Sequence, residues 1–208
     1  PTRIFRGFEN MGTDYGMIMA ILGGDDAGGG VIWAPQVLEN ALTHGLVLSE
    51  KGVLYDSKKG EALPIGEQPM SPLTPEQLVD IAELPVENVI PHYVARYWDM
   101  VALAKHMPCK VIGETALIKD KPGFEVELLV RTSISKKAYQ SAKDEVLMVM
   151  RGHWKLSWGN DQLVLNPGDT CWVPADLSHS IEVCVSGEAS LYRVTGTDDD
   201  AGLTWQGG

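Results

Sequence analysis

The chain has 208 residues, 44% of them hydrophobic, and a formal net charge of -11. That length suits one or two domains with a substantial core, and the dispersed negative charge argues against phosphate-backbone recognition, which needs a basic patch. No apolar run reaches the roughly 18 residues of a membrane span, Pro1-Thr2-Arg3 does not open a signal peptide, and three cysteines without a C-x-x-C pair point to a reducing, cytoplasmic setting.

Residues 1–33 read as two strands, Arg3–Met11 and Gly16–Leu22, and they repeat the end of the chain. Sliding Pro1 onto Pro174 also brings Glu9 onto Glu182, Gly23 onto Gly196, Asp25 and Asp26 onto Asp198 and Asp199, and Gly29 onto Gly202. After one extra glycine, Trp33 falls on Trp205, and Gly16–Leu22 lies on Ala189–Thr195. A constant offset of this kind marks a repeated unit. Residues 34–110 read as a helical and loop linker. Pro35–His44 suits a helix that starts on proline and stops at Gly45. Lys51–Met70 is loop by composition, and Thr74-Pro75-Glu76-Gln77 is a capping sequence for a helix reaching about Leu84. Pro91–Met100, with Tyr93, Tyr97 and Trp98, is an aromatic stretch suited to packing on a sheet.

From Val111 the pattern changes to short strands. Val111–Ile118 and Phe124–Thr132 flank a turn at Lys121-Pro122-Gly123. Asp144–Arg151 is apolar and β-branched, and Gly152 ends it. Trp154, Leu156 and Trp158 alternate with polar residues, the period of a strand with one apolar face. Gly159-Asn160-Asp161 is a hairpin turn, Gln162–Leu165 the return strand, and Pro167-Gly168-Asp169 a further turn before Thr170–Val173. His179, Ile181, Val183 and Val185 share the next strand's first face. Many short strands at even spacing predict a small antiparallel barrel or sandwich. Its expected buried set is Trp154, Leu156, Trp158, Leu163, Leu165, Val173, Ile181, Val183 and Leu191.

Three features together resemble the paired motifs of the cupin superfamily: Glu145 followed by six residues and then Gly152, the P-G-D turn, and P-x-D-x-x-H from Pro174 to His179. The resemblance covers roughly residues 110–205 and implies a mainly β chain: a cupin-type antiparallel β-barrel, or double-stranded β-helix, over 111–208. Residues 1–33 would then be the last strands of a first barrel, as in a two-barrel cupin (bicupin). Their missing partners would come from a separate chain, a cleaved N-terminal half-barrel or a second copy in a homo-oligomer.

Metal-binding cupins resemble one another in an H-x-H pair, a following carboxylate and a last histidine. Residues i and i+2 of a strand point to one side, so two imidazoles can face one ion. Carried over, Glu145 matches the carboxylate and His179 the last histidine, but Tyr139 and Ser141, or Ala138 and Gln140 in the adjacent register, stand where H-x-H belongs. In the front repeat Arg6 takes the place of His179. The resemblance therefore leaves two readings of the cofactor: a divalent metal, iron first, on Glu145 and His179 with Gln140 or Tyr139 adding an oxygen, or no metal. Three functions follow. One is an oxygenase like the ring-cleaving bicupin dioxygenases, acting on a small aromatic substrate. Another is a non-catalytic scaffold or binding subunit. The third is a metal-free isomerase or lyase using Glu145, His179 and Tyr139, since a buried glutamate and a histidine in one pocket form an acid–base pair. His44, His92, His106 and His153 read as surface or linker residues. Candidate partners for a buried Glu145 are Arg151, Lys143 and Arg193.

Overall fold

A computed structural model describes residues 5, 7–21, 32–79, 81, 85–119, 123–134 and 138–197. The chain divides into two compact units, Pro1–Pro85 and Val86–Gly208.

In the first unit, helix α1 (Pro35–Thr43) starts on the proline expected to start it and buries Leu38. Gly45, at φ 80°, turns the chain into the hairpin β1 (Leu46–Leu48) and β2 (Leu54–Asp56), paired antiparallel. A Cβ at Gly45 would lie 2.7 Å from Ser57 Oγ, so the turn needs glycine for space as well as for φ. Strand β2 falls within the stretch read as loop. Its ladder is closed by Ser49, whose hydroxyl accepts from Val53 N at 3.2 Å. The short helix α2 (Pro75–Val79) has the expected capping box: Gln77 N donates to Thr74 Oγ1 and Thr74 N donates to Gln77 Oε1.

The strands expected at Arg3–Met11 and Gly16–Leu22 do not form over residues 5 and 7–21; residues 1–4, 6 and 22 lie outside the described residues. Phe8, Met11, Tyr15, Met17 and Ile18 are instead exposed. A strand needs a neighbour for its backbone groups, and among the described residues nothing pairs with this stretch. The shared ending of the repeat lies mostly at 22–31 and 198–208, outside the described residues.

The second unit begins with α3 (Val86–Tyr93) and α4 (Tyr97–Leu103), two helices that the aromatic composition of Pro91–Met100 did not reveal. Nine strands follow: β3 (Cys109–Ile112), β4 (Phe124–Arg131), β5 (Ala138–Tyr139), β6 (Glu145–Arg151), β7 (Trp154–Trp158), β8 (Asp161–Leu165), β9 (Thr170–Val173), β10 (His179–Val183) and β11 (Ala189–Gly196). They form two sheets, β5-β10-β7-β8 and β3-β4-β11-β6-β9. The pairing is nested. The β7–β8 hairpin is the tip, then β6 pairs with β9, β5 with β10 and β4 with β11. One long hairpin wound on itself in this way is a jelly roll, the architecture of cupins.

The core lies between the sheets, where Leu129, Leu147, Val149, Trp154, Leu156, Leu165, Val173, Val183, Ala189 and Leu191 pack together. Trp154 is wholly buried and its indole N–H reaches Arg151 O at 3.2 Å. That bond removes the cost of burying the indole's polar end. Six of the nine residues expected to be buried are so, and Trp158 and Ile181 pack on the core from its margin. Leu163 does not: it is 43% exposed on β8, an edge strand whose end is left uncovered. Strand β3 is also shorter than the predicted Val111–Ile118, because Ile118 returns only as an isolated bridge to Ile112. The outer face of the larger sheet is covered by α4, whose Met100 and Val101 are buried and whose Tyr97 hydroxyl bonds Ser190 Oγ at 2.6 Å.

Candidate functional site

Two local devices set the site. Gly152, at φ 74°, turns β6 into β7, and a Cβ there would lie 2.6 Å from Ala189 Cβ. The P-x-D turn is tied to the strand before it: Ala175 N donates to Asp144 Oδ1 at 2.6 Å and Asp176 N to Ser141 O at 2.7 Å. Asp176 takes φ 61°, a left-handed position that aspartate tolerates better than most residues. His179 follows from this clamp directly onto β10, opposite Tyr139 of β5.

Glu145 on β6 and His179 on β10 belong to different sheets and meet inside the barrel. His179 Nε2 and Glu145 Oε2 are 3.9 Å apart, with both side chains at least 98% buried. Nδ1 of His179 lies 2.9 Å from Leu177 O. A carbonyl only accepts, so Nδ1 carries a proton and Nε2 is the nitrogen that faces the carboxylate. Glu145 Oε1 accepts from the Tyr139 hydroxyl at 3.2 Å, and Arg193 Nε is 3.7 Å away. Oε2 has no hydrogen-bond partner among the described residues. Burial pushes the Glu145 carboxyl above its ordinary value, against the opposing pull of Arg193, Tyr139 and His179. Burial likewise raises Tyr139, which therefore keeps its proton and donates it.

Arg193 of β11 completes the cluster. It pairs with Glu127, its cross-strand partner on β4, and its guanidinium lies 4.9 Å over the Tyr139 ring. The rings of Tyr139 and His179 meet edge-on at 5.4 Å. Of the three basic residues named for Glu145, only Arg193 reaches it; Arg151 pairs with Glu188, and Lys143 Nζ bonds Thr197 O.

The structure thus unites Glu145, His179 and Tyr139, and separates Gln140. The Gln140 amide is exposed and donates to Asp176 O at 3.0 Å, holding the turn and not the site. Arg193 and Glu127 were not singled out as site residues, because each sits in an ordinary alternating strand. Their signal was a charge at an inward strand position, readable only once the pairing is known. His106, read as a linker residue, lines the cavity, whereas His153 is exposed and bonds Asn166 Oδ1.

The donor set does not fit a divalent metal. Such ions need three or more N, O or S ligands converging on one point. Here one imidazole and one carboxylate converge; the Tyr139 hydroxyl, raised by burial, keeps its proton and donates it to the other carboxylate oxygen, and beside it stands the Arg193 guanidinium, which repels a cation. Among the described residues no group of three His, Cys, Asp or Glu side chains is placed to hold one.

The nested strand order, the two turns and the facing Glu and His define a cupin-fold protein. No family model and no curated protein sequence matches the chain. Solved structures similar to it include a cupin-2 domain containing protein of Shewanella frigidimarina, at 17% identity and TM-score 0.40, covering 50% of this chain and 95% of that one. The cupin domain of Schizosaccharomyces pombe Cnp3 is similar at 15% identity and TM-score 0.37, over 44% of this chain and 60% of that one. Hydroxypropylphosphonic acid epoxidase of S. wedmorenis is similar at 20% identity and TM-score 0.33, over 36% of this chain and 44% of the epoxidase. The chain therefore spans less than half of the epoxidase.

Proposed function

We propose that the barrel is a metal-independent enzyme of the isomerase or lyase kind, in which Glu145 and His179 move one proton at an oxygen of a small ligand. The facing pair carries this reading. With Nδ1–H held by Leu177 O, the gap between Nε2 and Oε2 needs one proton to avoid opposing lone pairs. A separation of 3.9 Å is too long for a direct hydrogen bond, yet an oxygen can sit about 2.8 Å from both atoms. A carbonyl oxygen placed there takes the proton held by one partner while the other partner, unprotonated, removes the C–H proton beside the carbonyl; the O–H bond forms as the C–H bond breaks, and reversal returns both protons. Tyr139 and Arg193 hold the second carboxylate oxygen and so fix the direction of Oε2. Burial raises the Glu145 carboxyl above its ordinary value, which favours its holding and giving a proton. The oxygenase reading would route its chemistry through a metal, for which the ligand set is short.

The test is deuterium exchange beside the carbonyl or hydroxyl of small hydroxy- and oxo-compounds, charged and uncharged, followed by NMR with a chelator present. Wild-type protein should exchange at least one, and Glu145→Gln and His179→Gln should each slow it by about 10²-fold or more. Exchange that requires added iron, manganese or zinc, or that survives both substitutions, would overturn the reading.

A second reading, an assembly subunit, is favoured by the exposed apolar run Phe8, Met11, Tyr15, Met17 and Ile18. The repeat places residues 16–22 on β11, a strand flanked on both sides. Strands from another polypeptide or a second copy would flank this stretch in the same way. Light scattering on native material checks this, and a monomer without partners would count against it.

A further inference from the structure

The cavity above Glu145 and His179 has a volume of about 710 Å³, inside the range of roughly 300–1,000 Å³ typical of small-molecule sites. It is lined by Glu145, His179, Tyr139 and Arg193, by the apolar Leu129, Leu147 and Ile181, and by Lys105, His106 and Arg131. The β4 register orders part of this lining: Glu127 pairs with Arg193 of the site, Leu129 follows two residues on, and Arg131 ends the strand two residues beyond that, opposite Ala189.

The charge there is opposite to that of the molecule. The chain carries -11 overall, but among the described lining residues the one carboxylate besides Glu145, Glu188, is bound to Arg151 at 2.8 Å. Neither Lys105 nor Arg131 has a carboxylate partner among the described residues; one Arg131 nitrogen donates to its neighbour, Val130 O, at 2.9 Å. Arg131 is half-buried, and a partly desolvated guanidinium without a counter-ion is under-satisfied. A cation entering would meet like charge, and an uncharged molecule would leave that guanidinium unpaired.

We propose that the cavity takes a small organic anion, a carboxylate or a phosphate ester, with its anionic group at Lys105 and Arg131 and its oxygen-bearing end between Glu145 and His179. This rests on the proton-transfer reading above and adds the class of ligand. The short apolar stretch of wall calls for a carbon segment between the two polar ends. Arginine binds planar carboxylates and phosphates through paired N–H groups, and the lysine adds a point charge.

Calorimetric titration of the full chain with malonate, inorganic phosphate and uncharged malonamide tests it. At least one anion should bind and malonamide should not, and the stronger anion distinguishes carboxylate from phosphate. Affinity should fall as salt is raised. Lys105→Ala and Arg131→Gln should each weaken binding about tenfold, the usual loss for one charge-assisted contact. Lys51→Ala, in the first unit, should leave it unchanged. Lys105 is exposed, so its variant decides the matter should Arg131→Gln fail to fold. Failure of both anions to bind, equal binding of malonamide, or indifference to Lys105→Ala would overturn the proposal. Failure of the proton-transfer reading looks different: anions would still bind through Lys105 and Arg131, but Glu145→Gln would abolish no deuterium exchange.

Discussion

Glu145 is a carboxylate almost wholly withdrawn from water, at 1% exposure. Its carboxyl is raised by burial, so the folded chain holds that proton more tightly than the unfolded chain does. Stability contributed by the proton is complete below the ordinary glutamate value of about 4.3 and is lost as pH rises through that value to the folded one. Glu145→Gln removes the titration. The variant should therefore melt higher than wild type at neutral pH, and the difference should vanish toward pH ~4. Scanning calorimetry across that window checks it, and a variant less stable than wild type at neutral pH would mean that the Arg193 contact outweighs desolvation. Glu145 and His179 were legible in the sequence because the turns beside them are short motifs. Arg193 was named only as one of three possible partners, since choosing among them required the β11 register.

At the scale of elements, the inward alternation of β7 was plain from Trp154, Leu156 and Trp158, and the structure buries the first two completely or nearly so. Leu156→Ala should cost about 2–5 kcal/mol, read from the midpoint of urea denaturation. Leu163→Ala, directly across from it on β8 but 43% exposed, should cost well under half as much. Equal costs would mean that the β8 edge is covered in solution. Gly152→Ala meets both a left-handed φ and Ala189 Cβ at 2.6 Å. Its cost should be about 1–3 kcal/mol from backbone strain alone, with more if Ala189 cannot move. The two-residue β5 escaped notice because it is too short to show a period, yet it places Tyr139 opposite His179. Helices α3 and α4 escaped because their aromatic residues and Pro91 mask the helical spacing.

For the whole molecule, the division at Pro85 makes a specific claim. Residues 86–208 contain both sheets, the core cluster and the helix over the outer face. Produced alone, this part should unfold in one cooperative urea transition, with the blue-shifted emission of a buried Trp154. A non-cooperative transition would show that the first unit is needed for the core. Among the described residues no helix is long and apolar enough to cross a membrane. By itself the sequence determined the local terms: strand alternation, the turn chemistry of Pro167-Gly168-Asp169 and Pro174-Ala175-Asp176, the capping box at Thr74, and through these a small antiparallel barrel or sandwich. These are legible because each depends on residues a few positions apart. Only the tertiary structure decided which charged groups face one another. Glu127, Glu145, His179 and Arg193 are far apart in the chain and converge only when two sheets close on each other. Tertiary contact also decided that the strands expected before Leu22 stay unpaired where they are described, because a strand is defined by a neighbour that its own residues do not encode.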